Sequence, residues 1–194
     1  MKRFTDQRDA DSQDEIWFVE HPPVYTLGLN ADLSHLLAPT DIEILQVDRG
    51  GQVTYHGPGQ QVCYVMLDIK RLGLNVRSLV QLLESAVIDT VAAYRINANP
   101  RRDAPGVYVD GKKLAAVGLK LRRGCSYHGI AVNVDMDLAP FGSIQPCGIE
   151  GLEVTQLAQL CTAKEIGGFR SDLEQQLLAH LSLCRSGFQP RIKQ

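Results

Sequence analysis

Apolar residues recur at helical spacing in two stretches of the chain, each long enough for several turns. Ser78 and Gln81 have the spacing of a capping box at the start of the first stretch. Its apolar positions are Leu79, Leu82, Leu83, Ala86, Val87 and Val91. The second stretch runs from about Phe169 to Leu183, and its apolar stripe contains Leu173, Leu177 and Leu181. We also expect helical structure in the polar residues 2–14.

Short apolar segments bounded by turn residues predict strands between these helices. The predicted strands are 16–19, 24–27, 43–47, 61–67, 107–109, 113–117 and 127–134. Asp110 and Gly111 have the sequence of a tight hairpin turn. A regular alternation of strand and helix is missing. The pattern therefore predicts one α+β domain over residues 1–194, with a mostly antiparallel or mixed sheet and helices packed on it.

Composition and charge narrow the classes of function. The 194 residues are 44% apolar and 22% charged, with a formal net charge of −2, so no general attraction to nucleic acid or membranes is expected. The N-terminus has no signal-peptide pattern, and no apolar run is long enough to span a membrane. The five cysteines form an odd set without a CxxC pair, which favours reduced thiols. We expect a cytoplasmic protein.

The stretch 49–60, RGGQVTYHGPGQ, contains four glycines between two apolar segments. Glycine permits positive φ and close approach of a ligand to the backbone, and exposed N–H groups suit an anionic or carbonyl oxygen. A glycine-rich turn between strands is the simpler interpretation. Arg49 and His56 in the same stretch favour a substrate site.

Cys147 and Lys113 are candidates for covalent chemistry. Cys147 lies between a proline and a glycine, a setting that can present a nucleophile, and a thiol needs an activating neighbour because it is mostly protonated at pH 7. A nearby ammonium favours the thiolate. The simpler alternatives are a buried structural cysteine and a solvated lysine beside a turn.

His128 is a second candidate partner for a cysteine. It suits a Cys–His pair with Cys147 or a metal site with Cys125. Two ligands do not complete a zinc shell, so we expect no metal. A structural role is the alternative for His128 and His56, and it is the one we assign to His21.

Taken together, these segments resemble the octanoyltransferase family, also called lipoate–protein ligase B. The matching segments are EHPPVYTLG at 20–28, RGGQVTYHGPGQ at 49–60, GVYVDGKKLAAVGLKLRRG at 106–124, SYHGIAVNVDMDL at 126–138 and PCGIEG at 146–151. The resemblance implies a fold like that of the biotin and lipoate protein ligases. It also implies that the family has a further strand and helix segment upstream of residues 1–14, so we expect the chain to start within that helix.

The resemblance also implies the site residues. The family's catalytic Cys–Lys pair falls on Cys147 and Lys113. Its substrate-contacting positions fall on Arg49, Gly50, Gly51, Gln52, Val53, Thr54, Tyr55, His56, Ala116, Val117, Gly118, Gly129, Ile130 and Ala131. Small residues, among them Ala115, Ala116, Gly118 and Gly129, are expected to leave room for an acyl chain.

The implied reaction is transfer of an octanoyl group from octanoyl-acyl-carrier protein to a lysine. The acceptors are lipoyl domains of 2-oxoacid dehydrogenase E2 subunits and the glycine cleavage H protein. The resemblance implies a cysteine thioester intermediate, no cofactor and a monomer. The alternatives are an ATP-dependent lipoate or biotin ligase of similar fold, and a non-catalytic module that binds an acyl carrier or lipoyl domain.

Overall fold

The helices of the protein begin and end close to the predicted positions, with one exception. The computed structural model describes residues 1–162, 166–185 and 187–194, and only the main chain of Cys147. Helix α1 spans Lys2–Gln7, α2 spans Val76–Ala92 and α3 spans Phe169–Cys184. The prediction for residues 2–14 is therefore wrong beyond Gln7. There the chain turns extended at Arg8, whose side chain pairs with the buried carboxylate of Asp14.

The start of α2 corrects the predicted capping box. Asn75, not Ser78, is the N-cap, and its side chain accepts a hydrogen bond from the Ser78 N–H at 2.9 Å. The Ser78 hydroxyl accepts in return from the Asn75 N–H at 2.9 Å. Both residues are good caps, so sequence preference alone does not choose between them. The reciprocal bonds place the N-cap three residues earlier than the predicted one.

Within the described residues, ten strands form two sheets. The strands are β1 (Glu15–Val19), β2 (Val24–Leu27), β3 (Glu43–Gln46), β4 (Val53–His56), β5 (Gln60–Met66), β6 (Asn99–Pro100), β7 (Gly106–Val109), β8 (Lys112–Arg122), β9 (Cys125–Asn133) and β10 (Arg191–Lys193). The large sheet has the order β10-β1-β5-β9-β8-β7-β6, and the small sheet has the order β3-β2-β4. Each sheet contains one parallel pair, β1 with β10 and β2 with β3. The mixed sheets with packed helices confirm the predicted α+β class.

The large sheet has two differently covered faces. One face packs against α2 and α3 and forms the main core. The core residues that come from the inner strands include Cys63, Val65, Leu114, Ala115, Ile130 and Val132. The side chains of alternate residues point to the opposite face, where the small sheet lies. The two sheets therefore enclose the space in which a site can form.

Strand β4 was not predicted, because it lies inside the glycine-rich stretch 49–60. Its partner is β2, with Thr26 opposite Thr54 and Val24 opposite His56. Val53 and Tyr55 of β4 are buried and pack in a second, smaller core with Tyr25 and Phe141. The stretch is thus a glycine turn followed by a strand, and not a continuous loop.

We predict that Asn75→Ala lowers the free energy of unfolding by about 1 kcal/mol, because the first turn of α2 loses its side-chain cap. Urea denaturation monitored by circular dichroism measures this change. Arg77→Ala, an exposed substitution in the same turn, is the matched control and is expected to change stability by less than about 0.5 kcal/mol. Equal effects of the two substitutions would contradict the capping role.

Candidate active site

A β-bulge in β8 determines the direction of the Lys113 side chain. Gly106 pairs with Ala116, Val107 with Ala115, and Tyr108 with Lys113, which leaves Leu114 without a partner on β7. Leu114 and Ala115 are adjacent, yet both lie in the main core at 0% and 1% exposure. The extra residue interrupts the normal alternation of faces. Lys113 therefore shares a face with Ala116 and Gly118, away from α2 and α3.

Lys113 is buried at 3% exposure among main-chain and aromatic groups. Its Nζ donates a hydrogen bond to the carbonyl oxygen of Pro105 at 3.4 Å and lies 5.2 Å from the centre of the Tyr108 ring. Its main chain is hydrogen-bonded to the segment that follows Cys147. The Lys113 N–H donates to the main-chain carbonyl of Glu153 at 2.8 Å, and the Thr155 N–H donates to the main-chain carbonyl of Lys113 at 2.9 Å. These bonds fix β8 to the chain that leaves the cysteine turn.

The turn Pro146–Gly148 carries the main chain of Cys147. The Gln145 N–H before it donates to the His35 carbonyl at 2.9 Å. Gly148 has a φ of +69°, and a Cβ there would lie 2.9 Å from Cε1 of His35 and 3.5 Å from Cγ of Gln52. The turn is therefore packed closely against His35 and Gln52. The side chain of Cys147, and with it the predicted contact to Lys113 or His128, lies outside the described residues.

A cavity of about 200 Å³ lies between the two sheets. The residues of the glycine-rich stretch that line it are Arg49, Gly51, Gln52, Val53, Thr54 and His56. From β8 and β9 the lining residues are Ala116, Val117, Gly118, Gly129, Ile130 and Ala131. Gln52 belongs both to this wall and to the surroundings of Gly148, so it packs between the cavity and the cysteine turn.

Four described side chains named from the sequence do not line the cavity: Lys113, whose Nζ lies at the Pro105 carbonyl, and the three that follow. The Gly50 N–H donates to the Leu119 carbonyl at 2.9 Å and joins the glycine turn to β8. Tyr55 packs edge-on against Phe141 with ring centres 5.5 Å apart. Ala115 faces the main core, so its expected place beside an acyl chain is wrong; the bulge at Leu114 sets which residues of β8 point to the cavity.

Nine further lining residues were not among the substrate-contacting positions expected from the sequence, although His128 was named as a candidate partner for Cys147. They are Met1, His21, Val24, Thr26, Leu45, Val47, Val62, Tyr64 and His128. Several of them lie on β2, β3 and β5, which the sequence predicts as strands without showing that they face one another. The residues alternate along these strands, but alternation alone does not tell the cavity face from the core face.

The Arg49 side chain lies between the small sheet and β8 of the large sheet. One guanidinium nitrogen donates to the Thr26 carbonyl at 2.7 Å and to the Thr26 hydroxyl at 2.8 Å, and the other donates to the Gly50 carbonyl at 3.0 Å. A Cβ on Gly118 would lie 2.9 Å from Cδ of Arg49. Gly118 therefore allows the arginine to cross between the sheets.

One end of the cavity has polar but uncharged side chains. A ring nitrogen of His21 lies 2.6 Å from the Tyr64 hydroxyl, and a ring nitrogen of His56 lies 2.6 Å from the side-chain oxygen of Gln60. Burial lowers the pKa of His21, and burial, assisted by nearby Arg49, lowers the pKa of His56 to about 4. Burial also raises the pKa of Tyr64 to about 12. These groups are neutral near pH 7.

His128 is held at the same end in a strained conformation. Its φ of +62° is unusual for a residue other than glycine. Nε2 lies 3.0 Å from a carboxylate oxygen of Asp48, whose other oxygen accepts from the Tyr127 hydroxyl at 2.6 Å. Burial alone would raise the pKa of Asp48, but the bonds from Tyr127 and His128 lower it to about 2. Asp48 is thus an anion that anchors the ring.

The described part of the chain contains neither a cluster of metal ligands nor a helix that could span a membrane. No three His, Cys, Asp or Glu side chains in it are grouped to hold a metal ion. No helix in that part is long and apolar enough to cross a membrane.

The chain is similar to known proteins over most of its length. Residues 1–179 match the family model described as lipoyl protein ligase A/B catalytic domain. An octanoyltransferase of Pseudomonas putida (strain GB-1) is 57% identical over 181 residues, 93% of this chain and 84% of that protein. An octanoyltransferase of Pseudoalteromonas atlantica is 61% identical over 160 residues, 82% of this chain and 74% of that protein.

A solved structure of a bi-partite lipoate protein ligase from Thermoplasma acidophilum has a similar fold. Its TM-score is 0.71 at 15% identity, and the match covers 100% of this chain and 80% of the other. At this identity the similarity concerns the fold alone. It agrees with the ligase-like fold expected from the sequence.

We predict that the protein loses stability below pH 6.5 because His56 must be protonated on unfolding. The pKa of His56 falls from 6.5 to about 4 in the folded protein. Its contribution to the free energy of unfolding is therefore present above about pH 6.5 and declines as the pH falls toward 4. At about pH 5.5 the loss is roughly 1.4 kcal/mol. Urea denaturation of wild type and His56→Gln across this range measures it.

The wild-type curve is expected to fall more steeply than the His56→Gln curve between about pH 6.5 and pH 4.5. Between pH 7 and pH 8, where neither state of the wild type binds a proton at His56, the difference between the proteins should stay constant. Parallel curves at low pH would show that His56 is not held neutral.

Proposed function

Because this chain belongs to the octanoyltransferase family, within the lipoyl protein ligase A/B catalytic domains, we propose that it moves an octanoyl group between proteins. The donor is octanoyl-acyl-carrier protein, and the acceptor is a lysine of a lipoyl domain. The observation that carries the mechanism is the burial of Lys113 on the cavity side of β8. A buried ammonium needs a function or a partner to offset the cost of desolvation.

In the first step, the Cys147 thiolate attacks the thioester carbonyl of the donor. The new carbon–sulfur bond forms as the bond to the carrier's sulfur breaks, and the departing carrier thiolate takes the proton of the Lys113 ammonium, which leaves Lys113 as a neutral amine for the second step. One thioester replaces another, so the exchange is close to balanced and needs no ATP. Lys113 supplies the positive charge that favours the thiolate of Cys147.

In the second step, the amine of the acceptor lysine attacks the acyl-enzyme. The carbon–nitrogen bond forms, Cys147 leaves as a thiolate, and Lys113 accepts the proton lost by the attacking amine. The amide is more stable than the thioester, which makes this step favourable. Main-chain N–H groups near Gly148 and Gly118 are proposed to stabilise the oxyanion in both steps.

The cavity wall is proposed to bind the octanoyl chain. Small residues, namely Ala116, Gly118, Gly129 and Ala131, form a strip on β8 and β9 that leaves room beside Lys113. At about 0.8 kcal/mol per methylene, burial of the tail contributes roughly 5 kcal/mol. Each single methylene changes affinity only about fourfold, so selectivity against longer chains requires a closed end.

The remaining substrate-contacting positions keep distinct proposed roles. The glycine-rich stretch, from Arg49 to His56, contacts the acyl thioester, with Gly50 and Tyr55 acting by holding the wall in place. Val117 and Ile130 contribute main-chain groups, because their side chains turn toward the main core. The catalytic pair remains Cys147 and Lys113.

An ATP-dependent ligase is the second candidate, because the Thermoplasma acidophilum protein of similar fold is a lipoate protein ligase. Such an enzyme forms an acyl-adenylate and needs no nucleophilic cysteine. A binding module without activity is the third. Cys147→Ala separates the three: a transferase loses transfer, a ligase keeps acylation with ATP, and a binder shows none in either form.

We predict that wild type, mixed with octanoyl-acyl-carrier protein without ATP, gains the mass of one octanoyl group. Cys147→Ser is expected to show no stable adduct at this position and no transfer to a lipoyl domain. Lys113→Met should slow transfer by about 10² to 10⁴-fold, as expected for loss of a general base. Intact-mass spectrometry and a lipoyl-domain acylation assay measure these effects.

Lys112→Met is the matched control for Lys113→Met. Lys112 is exposed, and its ammonium pairs with Glu153 at 2.6 Å. Its loss should change the transfer rate less than about threefold. Transfer by Cys147→Ser, or equal effects of the two lysine substitutions, would disprove the proposed mechanism.

We also predict that Ala131→Leu shifts the preference of the enzyme toward shorter acyl chains. The larger side chain occupies the strip where the octanoyl tail is proposed to lie. Octanoyl transfer should fall at least tenfold, whereas transfer of a butanoyl group from the same carrier should fall less than threefold. Rates with the two donors measure the change, and an equal loss with both would place the acyl chain elsewhere.

A further inference from the structure

Glu84 is a buried carboxylate on the apolar side of α2, where its neighbours are leucine, valine and alanine. It is only 6% exposed. Its Oε1 accepts a hydrogen bond from the Gly106 N–H at 2.7 Å. One hydrogen bond from a neutral N–H offsets only a small part of the free-energy cost of burying a carboxylate. A nearby cation offsets more of that cost.

The cation is Lys113, on the other side of the same peptide group. The Pro105 carbonyl accepts from Lys113 Nζ at 3.4 Å, and the N–H of that peptide, on Gly106, donates to Glu84. The peptide dipole therefore has its oxygen toward the ammonium and its N–H toward the carboxylate. Both charges polarise this one peptide in the same sense, which strengthens both hydrogen bonds.

Gly106 is required at the centre of this arrangement. A Cβ there would lie 2.4 Å from the Ala115 carbonyl oxygen, 3.4 Å from Cε of Lys113 and 3.5 Å from its Nζ. Its φ of +145° is also a value that other residues rarely adopt. The absent side chain lets the lysine lie directly against the peptide.

We propose that Glu84 is a positioning residue that holds Lys113 and stabilises its charge through the Pro105–Gly106 peptide. The proposal rests on the proposed function, since it concerns the base of that reaction. Glu84 touches neither substrate nor the reacting atoms. It sets where the ammonium lies.

The electrostatics agree with this geometry. Burial raises the pKa of Glu84, while the Gly106 N–H and the Lys113 ammonium act in the opposite direction. Other charged groups around the peptide are Arg101, 5.1 Å from the Tyr108 ring centre, and Glu153, which pairs with Lys112. Tyr108 lies between Arg101 and Lys113, and its hydroxyl donates to the Ala104 carbonyl.

The direct test is a pH titration of the Glu84 carboxyl carbon by ¹³C NMR, with the signal assigned in the wild-type protein. Lys113→Met removes the ammonium, so the Glu84 titration midpoint should rise by about one pH unit or more. Lys112→Met should leave it within a few tenths of a unit. Lys113→Gln is a second neutral variant, which serves if Lys113→Met does not fold.

A midpoint that is the same in the Lys113 and Lys112 variants would overturn the proposal. The titration needs no octanoyl donor, so its result is independent of whether the proposed reaction occurs. If wild type forms no octanoyl adduct, the proposed function fails, while coupling between Glu84 and Lys113 is still measured.

The kinetic test uses Glu84→Gln, which keeps an oxygen acceptor for Gly106 but removes the charge. The pH midpoint of the amide-forming step should move down by roughly one unit, because the amine loses its proton more readily. Asp89→Asn, which removes an exposed carboxylate from the same helix, should leave the midpoint unchanged. A merely structural role for Glu84 would lower the rate equally at every pH.

Discussion

The unpaired Leu114 is the constraint on which the site depends. In a regular strand, residues 113 and 115 lie on the same face. Without the bulge, Lys113 would therefore lie on the core face with Ala115, opposite the face shared by Ala116 and Gly118. Its ammonium would then enter the apolar core under α2, where burial is costly without a partner. With the bulge, one strand supplies both a filled core and a cationic group beside the cavity.

The same strand also ties the cysteine turn to the lysine. Glu153 and Thr155 bond to the main chain of Lys113, and they follow the turn at 146–148 by only a few residues. At its other end, the turn is bonded to His35 and packed on Gln52. The main chain of Cys147, the proposed nucleophile, is therefore held from two sides, by β8 and by the segments that contain His35 and Gln52. Pairing to a strand thus acts on its position together with local turn chemistry.

The sequence was most informative where one face of an element is buried. Periodicity located α2, α3 and the inner strands, because each buries a regular apolar face. It did not locate the bulge, since Leu114 and Ala115 are both apolar and no turn residue marks the extra position. It also missed Glu84, the buried one of the two acids in α2, because the partner that explains it lies 22 residues away at Gly106.

The distribution of charge in the site separates binding from chemistry. His56 and His21 are kept neutral by burial, and Tyr64 keeps its proton, so these three side chains give hydrogen bonds without adding buried charge. An acyl chain can enter such a space without displacing the water shell of an ion. Apart from Arg49 in the cavity wall, the buried charges near the proposed reaction are Lys113 and Glu84, on opposite sides of one peptide. The proposed proton transfer is thus placed beside a compensated pair of charges, and the small residues of β8 and β9 are left for the proposed acyl chain.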